Sequence, residues 1–126
     1  MVSKTLIICL LGAFLLSGCA SKELRTERRA EKIRSQYPQW DQATVEKVAS
    51  ARVEVGMTPE MVRAALGEPD RVSREGGEEI WGYAIWVVSG EAPAYKKFVY
   101  SVHFKEGKII RTTGDRSALS HLNWYQ

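Results

Sequence analysis

The second half of the chain holds three stretches rich in aromatic and β-branched residues, and the last two are separated only by Glu106-Gly107. Residues 97–105 alternate. Phe98, Tyr100, Val102 and Phe104 share one side, and Val99, Ser101 and His103 share the other. That is the period of a strand with one face buried. A Glu-Gly link closes a tight hairpin, so residues 97–105 and 108–113 run antiparallel; parallel neighbours need a crossover of about a dozen residues or more. Residues 79–88 supply another strand, with Trp81, Tyr83, Ile85 and Val87 on one side and Ile80, Gly82, Ala84, Trp86 and Val88 on the other. Residues 89–96, with Gly90 and Pro93, read as a longer loop, and residues 71–79 as a short polar one.

Two helices precede the strands. Asp41 is the expected N-cap of the first, over residues 41–52, where Val45, Val48, Ala49 and Val53 form one apolar stripe. Gly56 ends this unit. Thr58 caps the second helix, and Pro59 occupies the first turn, where its missing N–H costs nothing. Glu60 faces the positive end of the helix dipole. Met61, Val62, Ala65 and Leu66 make the buried face. Gly67 is the stop, and Pro69 prevents resumption. Both stripes need cover, and one face of the sheet offers it. The expected fold is therefore α+β: two short helices packed on one face of a three-stranded antiparallel sheet, with Phe98, Tyr100, Val102 and Phe104 toward the helices.

The first nineteen residues point to export. Lys4 gives a positive start, and residues 6–16 are an unbroken apolar run of eleven. A membrane-spanning helix needs about 20 apolar residues, so this run reads as a signal peptide. Its end, Leu16-Ser17-Gly18-Cys19, resembles the bacterial lipobox. The resemblance implies cleavage before Cys19 and covalent diacylglyceryl and N-acyl lipid on that residue. Ala20 stands where Asp marks inner-membrane retention in some bacteria, which resembles an outer-membrane address facing the periplasm. Cys9 lies in the leader, so mature chain keeps Cys19 alone and has no disulfide. The expected parts are a cleaved leader (1–18), a lipidated cysteine with a charged tether (19–39), a globular domain (40–113) and a C-terminal tail (114–126).

The net charge of +3 is unevenly spread. Residues 22–34 hold six bases and three acids, whereas from Ser35 onward eleven bases meet twelve acids. A nearly neutral body has no basic surplus for phosphates, which argues against nucleic acid. Glu23, Glu27 and Glu31 form one like-charge stripe, as do Arg25 with Arg29 and Arg28 with Lys32. A frayed helix or linker is expected there, with bases able to rest on anionic phospholipid head groups.

Several motifs resemble the BamE (SmpA/OmlA) lipoprotein family. They are Gly56-Met57-Thr58 with Val62, then Leu66-Gly67-Glu68-Pro69, then Trp81-Gly82-Tyr83, and Phe104-Lys105-Glu106-Gly107-Lys108. The resemblance covers about residues 40–113. It implies two helices on a three-stranded sheet, and a non-enzymatic accessory of the outer-membrane β-barrel assembly machinery that binds other envelope proteins and associates with phosphatidylglycerol. The tether is longer and more charged than in that subunit. The alternative is a periplasmic ligand-binding or inhibitor-like module of the same fold with no part in barrel assembly.

Catalysis finds little footing. Asp115, Ser117 and His121 are triad residue types gathered in a tail, and Glu78-Glu79 point to opposite sides of a strand. Two histidines and one acylated cysteine make a poor metal set, so no metal and no cofactor beyond the lipid is expected. Binding fits better. Trp81 and Trp86 cannot both face the helices, so Trp86, with Val88, Val99 and Ile110, marks a candidate partner face. The competing expectation is that Leu119, Leu122, Trp124 and Tyr125 fold back to cover it.

Overall fold

The computed structural model describes residues 17–121, which fall into two compact units that divide between Ser50 and Ala51. In the first unit, α1 (Ser17–Gln36) packs against α2 (Gln42–Ala49). The expected frayed tether is thus a helix of 20 residues. Like-charge stripes cost only tenths of a kcal/mol per pair, whereas its Ala, Leu, Glu, Lys and Arg are all strong helix formers. Ile33 is buried, and the half-buried Arg29 guanidinium donates to the Ala49 carbonyl at 3.3 Å. Burial pushes the Arg29 pKa down. Past α1, the Tyr37 ring stacks on Trp40 at 4.0 Å across Pro38. Asp41 caps α2, accepting from the Thr44 N–H at 2.8 Å, and Val45, Val48 and Ala49 are buried as their spacing predicts. The helix stops at Ala49, short of the expected Arg52.

The second unit holds α3 (Pro59–Leu66) and a sheet of four strands in the order β1-β2-β3-β4: β1 (Arg71–Glu75), β2 (Glu78–Val87), β3 (Tyr95–Lys105) and β4 (Lys108–Gly114). All neighbours are antiparallel. Thr58 caps α3 through the Met61 N–H, and Gly67 ends it. A 3₁₀ helix, Arg116–His121, follows β4 and lies against β2 and β3.

The fold is α+β, but among the described residues it carries three α-helices and four strands where two and three were expected. The residues read as a polar loop are β1 and its hairpin. Arg71-Val72-Ser73-Arg74-Glu75 pairs with β2 from Arg71↔Gly82 to Glu75↔Glu78, through a Gly76-Gly77 turn. It is an edge strand with no buried residue, so it has no apolar alternation to reveal it.

The core lies on the face that carries α3. Trp81, Tyr83, Tyr100, Val102, Phe104 and Ile109 are all buried. Trp81 meets Phe104 edge-on at 4.8 Å. Arg63 of α3 stacks over Trp81 at 4.7 Å, and the Tyr83 hydroxyl donates to the Gly67 carbonyl at 3.1 Å, which pins the end of α3 to the sheet. Phe98 departs from expectation. The β2–β3 register shifts between Tyr83 and Ala84, so Tyr83 pairs with Tyr100 but Ala84 pairs with Phe98. Val99 is the extra residue of this bulge. It reverses the alternation and turns Phe98 to the face opposite Tyr100, where it is 38% exposed.

Candidate docking face

Beyond Gly82 and Tyr100, β2 and β3 continue without a flanking strand among the described residues. β1 ends at Arg71↔Gly82 and β4 at Gly114↔Tyr100, while β2–β3 pairing runs on to Val87↔Tyr95. This two-stranded arm carries Trp86, 61% exposed, and Val88, one residue past β2, is 75% exposed. The arm is braced at its root. Ala84 lies two residues past the last β1 pair, Arg71↔Gly82, and the Asp70 carboxylate accepts its N–H at 2.8 Å. The other Asp70 oxygen accepts from Lys96 Nζ at 2.8 Å, and Lys96 also lies 5.6 Å from the Trp86 ring centroid. Burial raises the Asp70 pKa, but the bonds from Lys96 and Ala84 outweigh it and hold the carboxyl below its usual range.

The four residues read from sequence as a partner face do not form one patch. Trp86 and Val88 share the arm. Val99 is the half-buried bulge residue, and its carbonyl accepts from the Asp115 N–H at 2.8 Å. Ile110 is the extra residue of a second bulge, between Ile109↔Phe104 and Arg111↔His103, and is 38% exposed. His103 pairs with Ile80, six residues from Trp86, so Ile110 stands roughly 20 Å from Trp86 along the strands. Leu119 of the 3₁₀ helix is buried, while Trp86 and Phe98 stay exposed. The described part of the tail therefore leaves them open. Leu122, Trp124 and Tyr125 lie outside the described residues, as do Leu16 and the leader; Ser17, Gly18 and Cys19 enter only as the backbone of the first turn of α1.

The motif residues have structural work. The Gly56 N–H donates to the Ile109 carbonyl and the Ile109 N–H to the Met57 carbonyl, both at 2.9 Å, which ties the start of α3 to the outer edge of β4. Met57, Val62 and Leu66 are buried, and Pro69 is half-buried between α3 and β1.

Sequence reading missed a polar cluster on the open face. Glu78 accepts from Arg111 at 2.8 Å and lies 3.2 Å from His103 Nδ1, while His103 Nε2 is 3.4 Å from the Thr113 hydroxyl. The Arg111 bond, then the His103 bond, hold the Glu78 carboxyl below its usual range. Cross-strand pairing, invisible until register is known, assembles this group from three strands. Glu79 turns the other way, to Trp81 Nε1 at 2.7 Å and Arg74 at 3.2 Å. In the tail, Asp115 accepts from both the N–H and the hydroxyl of Ser117, so this carboxylate serves as a turn cap. No group of three or more His, Cys, Asp or Glu able to hold a metal occurs among the described residues.

The chain matches none of the curated proteins and none of the solved structures with which it was compared. The model of the outer membrane protein assembly factor BamE domain matches residues 43–114, from α2 to the end of β4. That span is more than half of the sequence and contains every motif tied above to a hydrogen bond or a buried contact, so the chain belongs to the BamE domain family.

Proposed function

We propose that this chain is a lipid-anchored, non-catalytic docking module of the bacterial envelope, held to the periplasmic face of the outer membrane through Cys19 and serving outer-membrane β-barrel assembly. The family match carries the reading. The chemistry of the sequence supports the anchor: an eleven-residue apolar run ends in Leu16-Ser17-Gly18-Cys19. No helix among the described residues is long and apolar enough to cross a membrane. Acyl chains on Cys19 would hold the protein there, at about 0.8 kcal/mol per buried methylene. An exposed aromatic arm favours action by contact.

Affinity capture of the lipidated protein from solubilised envelopes, with mass spectrometry of what is retained, tests this. Barrel-assembly subunits are expected among the retained proteins, and their consistent absence defeats the assignment to that machinery. Incorporation of labelled palmitate, lost in Cys19→Ala, tests the anchor separately.

A further inference from the structure

The open side of the arm carries a preformed arrangement of cations on aromatic rings. Gly82 is buried, and a Cβ there would stand 3.0 Å from the Phe98 ring, so glycine lets that ring lie across the β2 backbone. The Arg71 guanidinium stacks over the same ring at 4.1 Å. No carboxylate pairs with Arg71 among the described residues. Phe98 faces Ala84 across the strands, and Trp86 is two residues on, a diagonal neighbour at about 7–8 Å. Lys96, opposite Trp86, completes the group. Arg71, Phe98, Trp86 and Lys96 are thus contiguous, exposed, and rich in the residue types that dominate binding energy. Arg71 offers a planar fork of donors whose orientation is already fixed by stacking.

We propose that this patch docks an apolar segment of a protein partner that bears a carboxylate, with Arg71 receiving the carboxylate and Phe98 and Trp86 receiving the apolar side chains. This deepens the docking reading above and rests on it. Charge complementarity selects the occupant. Two cations face outward against one carboxylate, Asp70, which is already engaged by Lys96 and Ala84. The arm's tip, residues 88–94, holds Glu91 and no base, so an anionic lipid surface or a phosphate backbone would meet a negative tip.

The test is retention of the full-length protein, in detergent, on an array of synthetic twelve-residue peptides of varied charge and apolar content. Peptides with Asp or Glu beside aromatic or aliphatic residues are expected to be retained, with affinity falling about tenfold or more in Arg71→Glu and in Trp86→Ala. Val72→Ala, exposed on the opposite side of β1, is the control and is expected to bind as wild type. Unchanged melting temperatures show that the exposed substitutions leave the fold intact. Retention of acidic peptides by Arg71→Glu at wild-type strength overturns the proposal. So does an array that retains nothing, or only basic peptides. Arg71-dependent sedimentation with phosphatidylglycerol vesicles in place of peptide binding also overturns it. If affinity capture still recovers barrel-assembly subunits with Arg71→Glu, the patch assignment fails while the docking function stands; loss of all partners from the wild type sinks both.

Discussion

Replacing Gly114 by alanine should loosen the end of the sheet far more than the same replacement at Gly107. Both residues hold positive φ, 87° and 77°, a conformation that costs an L-residue roughly 1–2 kcal/mol. Their surroundings differ. A Cβ at Gly107 meets nothing within 4 Å, whereas one at Gly114 would overlap the Val99 carbonyl oxygen and stand 3.1 Å from Tyr100 Cα. Those are backbone atoms and cannot rotate aside. Relief requires β4 to part from β3 at Tyr100↔Gly114, and it takes with it the Asp115 N–H bond to Val99, worth about 1 kcal/mol. Leu119, 1% exposed and five residues on, then loses part of its packing, at most about 1.5–3 kcal/mol. Gly107→Ala is therefore expected to cost about 1–2 kcal/mol and Gly114→Ala about 3–5. At roughly 4–8 °C per kcal/mol for a domain of this size, the second variant melts at least about 4 °C below the first. Thermal unfolding followed by circular dichroism measures both, and hydrogen exchange at the Asp115 amide locates the opening. Equal melting temperatures, or an Asp115 amide that stays protected in Gly114→Ala, would refute the steric reasoning.

Three other outcomes follow from the geometry. Thr58→Ala removes the cap of α3, whose 3.4 Å bond is long, so a cost at the low end, about 0.5–1 kcal/mol, is expected by chemical denaturation. Asp70→Asn keeps an acceptor for the Ala84 N–H but removes the charge; because the folded pKa is depressed, its stability deficit is full above about pH 4 and shrinks as pH falls through the lower folded value, which melting curves against pH will show. Tyr83→Phe strands the Gly67 carbonyl at about 1 kcal/mol, and in the wild type burial keeps the Tyr83 phenol un-ionised above pH 10, so one tyrosine should titrate late in the ultraviolet.

Caps and the tight hairpin were legible because single residues decide them. Asp41, Thr58, Gly67 and Glu106-Gly107 each hold the position their chemistry predicts. The edge strand β1 was hidden because burial is what writes alternation into a sequence, and none of its five residues is buried. Only the double glycine after it gave a hairpin signal. The orientation of Phe98 failed for a different reason. Alternation assumes an unbroken ladder, and one extra residue, Val99, inverts every side chain beyond it. The proposed docking patch inherits that failure: Arg71 comes from the unseen strand and Phe98 from the inverted one. The exposure of Trp86 was legible, because two tryptophans five residues apart on one strand must face opposite ways.

The unflanked arm separates two demands that proteins usually place on the same residues. Its ladder is held by backbone atoms and by Asp70, while the buried set of Trp81, Val102 and Phe104 lies toward the other end of the same strands. Changes at Trp86, Val88 or Lys96 remove no packed volume from that core. Chains built on this plan can diversify what they recognise while keeping one folding solution, so a common scaffold need not imply a common partner.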